Sequence, residues 1–188
     1  GACVYFTTTN TTPVTITVNK IIVPNLTANG HYAIKSEGTT NNTNLTVNIN
    51  GNIETTNGAA LAVGKALNVI GSYVNLEVTV AGTVQHGTNM ISVSPTAMPT
   101  GNATVNFAVR TLILGAGSAG NTLSISLVKA VNFNAGYCMN TALTGTVMNI
   151  TSVNTILFSG NIEQLNNASA TMQINSTQSI TVNGNVIR

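Results

Sequence analysis

The sequence predicts an all-β chain, and three observations carry that prediction. Apolar residues alternate with Thr or Asn in one segment after another, Asn-Gly pairs punctuate the chain, and no apolar periodicity of the helical kind persists. Ala2 to Thr9 is apolar and then Thr-rich, and Asn10-Thr11-Thr12-Pro13 interrupts it. Val14-Thr15-Ile16-Thr17-Val18 opens a strongly alternating strand that runs on to Val23 and stops at Pro24. The segments 45–49, 76–80 and 105–109 have the same form, one face apolar and the other Thr or Asn, as half-buried strands require. Further strands are expected at 90–94, 122–128, 145–150, 155–162, 170–175 and 179–187. The one helix-tolerant stretch, Gly58 to Val69, is short and contains Gly64.

Two β architectures compete. An apolar-x-Gly-x-apolar pattern around Gly51, Gly82, Gly145, Gly160 and Gly184 suggests a parallel β-solenoid, but the spacings 31, 63, 15 and 24 fit no single repeat. Asn29-Gly30, Asn50-Gly51, Asn57-Gly58 and Asn183-Gly184 suit tight turns, and the alternating segments are long. The expectation is therefore an antiparallel β-sandwich of the immunoglobulin or pilin type, with the parallel solenoid as the alternative. Residues 1–24 are expected to be an N-terminal extension able to add as a strand to a neighbouring subunit, and 25–188 the β-sandwich body.

Composition narrows function. Only 5% of the 188 residues are charged, against about 25% in ordinary chains; 28 Asn and 30 Thr supply the polar surface instead. There is no Asp, and the acids are Glu37, Glu54, Glu77 and Glu163. That argues against paired-Asp catalysis, carboxylate-rich calcium loops and two-metal phosphoryl sites. Six scattered cations form no stripe for nucleic acid. No apolar run approaches the roughly 20 residues of a membrane span. The first residue, Gly1, suggests a processed, exported chain. Few carboxylates also leave acid few handles for unfolding, which suits an acidic external habitat.

Gly115-Ala116-Gly117-Ser118-Ala119-Gly120 follows a strand and matches the dinucleotide fingerprint, yet the next segment alternates like a strand and no acid lies nearby to hold a ribose. It reads as a small-residue loop. His31, His86, Cys3 and Cys138 lack zinc spacings, and no nucleophile elbow anchors a serine triad, so neither an enzyme, a metal nor a cofactor is expected. Cys3 and Cys138 are the disulfide candidates, within one chain or between chains, with free thiols as the third possibility. Eight sequons, at Asn10, Asn25, Asn41, Asn44, Asn102, Asn149, Asn167 and Asn175, permit N-linked glycans, although so Asn- and Thr-rich a chain produces about six by chance.

Asn/Thr-rich strands, scarce charge, many sequons and the strand-like segment Ala2 to Val23 together resemble the surface filament subunits of thermoacidophilic archaea, the archaeal thread family. The resemblance rests on length, composition and layout rather than on a motif. It implies an extracellular, glycosylated homopolymer for adhesion or cell-cell contact, assembled by donor-strand complementation. The donor segment would run from Val4 to Val18, with Val4, Phe6, Val14, Ile16 and Val18 facing the groove of the next subunit. The alternative function is a carbohydrate-binding adhesin or viral fibre module that reads sugar through Asn and Thr.

Overall fold

The computed structural model describes residues 2–8, 12–23, 32–38, 43–55, 65–70, 73–85, 91–94, 103–114, 122–141, 146–164 and 171–188. They form fifteen strands and no helix: β1 Ala2–Thr8, β2 Val14–Val18, β3 Ile21–Val23, β4 Tyr32–Gly38, β5 Thr43–Ile49, β6 Ile53–Thr55, β7 Lys65–Val69, β8 Tyr73–Val84, β9 Ile91–Val93, β10 Thr104–Leu114, β11 Leu123–Asn140, β12 Thr146–Gln164, β13 Thr171–Ser176, β14 Ser179–Asn183 and β15 Val186–Ile187. Every pairing among them is parallel. The chain is all-β as expected, but it is the parallel β-solenoid and not the antiparallel sandwich.

Seven coils stack, each with three faces. The first face comprises β1, β4, β7, β9, the starts of β11 and β12, and β13. The second comprises β2, β5, the first parts of β8 and β10, the middles of β11 and β12, and β14. The third comprises β3, β6, the ends of β8, β10, β11 and β12, and β15. In the later coils one long strand bends through two or three faces, and its register slips at the bends, as between Val109 and Thr111 and between Asn134 and Tyr137.

Two of the four Asn-Gly pairs, Asn29-Gly30 and Asn57-Gly58, lie outside the described residues, and the other two turn the chain sideways. Asn50-Gly51 and Asn183-Gly184 lie at the corner between the second and third faces, where no strand doubles back. Gly51, Gly82, Gly136, Gly160 and Gly184 share this corner, and a Cβ on any of them would meet backbone of the preceding coil within 2.7 Å. Gly160 is the tightest, with φ of 130° and the Ala135 carbonyl oxygen 1.8 Å from where a Cβ would stand.

Successive coils place Val14, Leu45, Leu76, Val105, Val131, Ile156 and Ile180 in one inward column, so the repeats are 31, 31, 29, 26, 25 and 24 residues long. The next inward column is Ile16, Val47, Val78, Phe107, Phe133, Phe158 and Val182. Its three phenylalanines stack, with ring centroids 5.3 Å apart for Phe107–Phe133 and 4.8 Å for Phe133–Phe158. This is close to the spacing of neighbouring strands, about 4.8 Å, so the ladder itself sets the aromatic geometry. Ile21, Ile53, Val84, Leu112, Cys138, Ile162 and Val186 form the column of the third face.

The segment expected to donate a strand is the first coil. β1 pairs with β4, setting Val4 opposite Ile34 and Phe6 opposite Ser36. β2 pairs with β5, setting Val14, Ile16 and Val18 opposite Leu45, Val47 and Ile49. Residues 130–140, not read as a strand from sequence, continue β11, and Lys65–Val69, inside the helix-tolerant stretch, is β7.

Chemical denaturation of single variants checks this packing. Phe133→Ala is expected to destabilise by about 3–5 kcal/mol, as loss of a buried aromatic does, and Gly160→Ala by about 1–3 kcal/mol from backbone strain. Near-neutral effects of both would contradict the stacked coils.

Candidate ligand-binding face

The outward residues of the second face form three rows running along the solenoid. The middle row is Thr15, Thr46, Glu77, Asn106, Asn132, Leu157 and Thr181. On one side lie Thr17, Asn48, Thr79, Ala108, Asn134, Ser159 and Asn183, and on the other Asn44, Asn75, Thr104, Ala130, Thr155 and Ser179. Sixteen of these twenty positions are Asn, Thr or Ser, and all twenty are exposed or half-buried. Strand alternation puts them there, because each inward Val, Ile, Leu or Phe obliges its sequence neighbours to face outward.

The rows are partly bonded within themselves. Asn75 Nδ2 donates to Asn44 Oδ1 at 3.0 Å, and Asn132 Nδ2 donates to Asn106 Oδ1 at 2.8 Å. An amide has two donor hydrogens and a carbonyl acceptor, so a one-bond ladder fixes each pair and leaves donors and acceptors for an outside partner. Glu77 is the one charged side chain in the three rows; it is exposed and makes no salt bridge among the described residues. Lys129 and Arg110, both exposed, lie at the corners bounding the face. The resulting surface is close to neutral and rich in donors and acceptors.

The other carboxylates are engaged. Lys20 Nζ is 2.5 Å from Glu54 Oε1. Glu37 pairs with Lys35 and accepts from the Tyr5 hydroxyl at 2.6 Å, while the Lys35 ammonium also lies over the Tyr5 and Tyr32 rings, 5.4 and 5.6 Å from their centroids. Tyr137 donates its hydroxyl to Glu163. No group of three or more His, Cys, Asp or Glu that could hold a metal occurs among the described residues, and no helix there is long and apolar enough to cross a membrane.

Cys138 is a buried free thiol in the third-face column between Leu112 and Ile162, and burial pushes its pKa up to about 12. A thiol so placed is a packing group rather than a nucleophile. Cys3 lies in the first coil and Cys138 in the fifth, about 19 Å away at about 4.8 Å per coil. An intrachain bridge requires Cα atoms within about 7 Å, so Cys3 and Cys138 of one chain do not pair.

Of the sequons, Asn44 is exposed in β5 on the second face, Asn149 is half-buried in β12 and accepts from Thr151 Oγ1 at 3.1 Å, and Asn175 is exposed in β13. Asn10, Asn25, Asn41, Asn102 and Asn167 lie outside the described residues, as do His31, His86 and the 115–120 glycine motif. The ordered face itself escapes sequence reading, since its rows exist only once the unequal coil lengths are known. No protein-family model, curated protein or solved structure matches the chain.

Acid sensitivity follows from two ion pairs. Lys35, and then the Tyr5 hydroxyl, holds the Glu37 carboxyl below the usual carboxylate range, and Lys20 does the same for Glu54. A depressed carboxyl contributes stability above its unfolded pKa, about 4.3, and that stability is lost as pH falls through the lower folded value. The thermal midpoint is expected to hold from pH 8 to 5 and to decline modestly only below about pH 4.3. A Glu37→Gln/Glu54→Gln variant should decline less, and an equal decline in both proteins would contradict this assignment.

Proposed function

We propose that the chain is a non-enzymatic binding module, a rigid solenoid of the exported, surface-displayed kind that contacts polysaccharide through its second face. The observation that carries this reading is the neutral grid of Asn, Thr and Ser held in register along that face. A polyhydroxyl ligand exchanges hydrogen bonds with such a surface while meeting only one charged group in the three rows, Glu77, whereas phosphate-rich polymers need a density of Lys and Arg that this chain lacks. Stacked main chains keep the donors and acceptors in place, which lowers the entropy lost on binding.

Retention of the 188-residue chain on insoluble cellulose, chitin and mannan tests the reading. Binding to at least one of them that survives a wash in 1 M salt is expected, because screening weakens charge pairing and spares neutral hydrogen bonds. Release by salt, or no retention on any matrix, would contradict it.

The filament reading is a second proposal, carried in an altered form by a different observation. Ile180, Val182 and Val186 continue the inward columns yet are exposed in the seventh coil, and Val14, Ile16 and Val18 are only partly buried in the first. An edge of this kind accepts a further parallel coil, from the same polypeptide or from a copy of it. Polymerisation would then proceed by end-to-end stacking and not by strand donation. Electron microscopy of the 188-residue chain is expected to show head-to-tail fibres that a Val182→Lys substitution abolishes; monomers for both proteins would exclude self-stacking.

A further inference from the structure

The middle row of the second face changes character at its centre. Thr15 and Thr46 give way to Glu77, Asn106, Asn132 and Leu157 before Thr181 resumes. These four residues come from four consecutive coils, and all are exposed, Leu157 by 37%. Side chains beside the central amides are cut back to methyl groups on opposite sides, Ala108 in the coil of Asn106 and Ala130 in the coil of Asn132. The two amides therefore stand above a shallow step on each flank, fixed to each other by the 2.8 Å bond from Asn132 Nδ2 to Asn106 Oδ1.

We propose that this row is a subsite for a neutral oligosaccharide lying along the solenoid axis. The inference rests on the reading of the second face as a polysaccharide-binding surface and adds where the sugar lies, which way it runs and which groups hold it. The Glu77 carboxylate accepts from a pair of neighbouring sugar hydroxyls. The free amide hydrogens of Asn106 and the carbonyl oxygen of Asn132 meet hydroxyls of the next units. Leu157 offers an apolar surface to the C–H face of a pyranose ring. Four coils span three steps of about 4.8 Å, about 14 Å in all, which is the length of a short run of sugar rings. Axial orientation follows because the middle row repeats in register along the axis through four coils, while across each central strand one flank of the amide is an alanine. Ala108 beside Asn106 and Ala130 beside Asn132 each interrupt the polar line on that side. With one carboxylate and no cation in the rows, the site disfavours sulfated, phosphorylated or uronate sugars.

Titration of the 188-residue chain, carrying Val182→Lys to block end-to-end stacking, with cellotriose, mannotriose, maltotriose and N,N′,N″-triacetylchitotriose, followed by backbone amide resonances, tests the proposal. At least one trisaccharide is expected to shift residues 77, 106, 132 and 157 selectively. Asn106→Ala and Leu157→Ala should each weaken that binding about tenfold, the scale of one well-made contact. Thr15→Ala, on the same row at its far end, should change it less than about twofold. All three side chains are exposed, and retained resonance dispersion shows that the variants fold. Shifts centred elsewhere, or unchanged affinity in both variants, would overturn the subsite. So would retention on polysaccharide with no response to any trisaccharide, and that result leaves the broader reading standing. Absence of retention on any polysaccharide would overturn both.

Discussion

The ladder of parallel main-chain hydrogen bonds from coil to coil is the constraint on which the rest of the structure depends. Parallel pairing in register places like position over like position, so an inward site in one coil is inward in all. It also fixes the separation of stacked side chains near the strand spacing, which is why Phe107, Phe133 and Phe158 stack face to face. The same rule forces small corners. Where the second face turns into the third, the path runs so close to the preceding coil that glycine occupies five of the coils, Gly160 and Gly184 in backbone conformations that L side chains rarely adopt.

The outer surface follows from that ladder. Alternation presents every second residue to solvent, and a chain with so little charge fills those places with Asn and Thr. Amide pairs such as Asn75–Asn44, Asn132–Asn106 and Asn185–Asn161 then bond along the axis, repeating on the surface what the backbone does beneath it. Charge is kept for a few local pairs, Lys20 with Glu54 and Lys35 with Glu37. Glu77, like Arg110 and Lys129, belongs to neither of these pairs, and it is the one charged side chain within the three rows of the second face.

The all-β class was legible because alternation is a property of each strand alone, and Val14 to Val18, Leu45 to Ile49 and Val105 to Val109 all carry it. Parallel stacking was not, because it depends on a repeat whose length drifts from 31 to 24 residues. The glycine series shows the difficulty: Gly136 belongs to the corner column but has Asn134 where the apolar-x-Gly-x-apolar pattern needs an apolar residue, Arg110 occupies that corner in the fourth coil, and Gly145 lies outside the described residues. Asn50-Gly51 and Asn183-Gly184 suit hairpins in sequence, yet each stands at a solenoid corner where the close approach of the preceding coil requires a glycine. The candidate face was half legible. The abundance of Asn and Thr on its surface could be read from composition, but the line from Glu77 through Asn106 and Asn132 to Leu157 crosses four coils and exists only in three dimensions.

Distances between spin labels on the middle row test the central claim most directly. With pairs at Thr46 and Asn132, Thr46 and Thr181, and Thr15 and Thr181, the backbone separations should rise in proportion to the coils between them, about 14, 24 and 29 Å at about 4.8 Å per coil. Distances that do not grow with coil number would contradict a parallel stack, and with it the ordered face on which the functional reading stands.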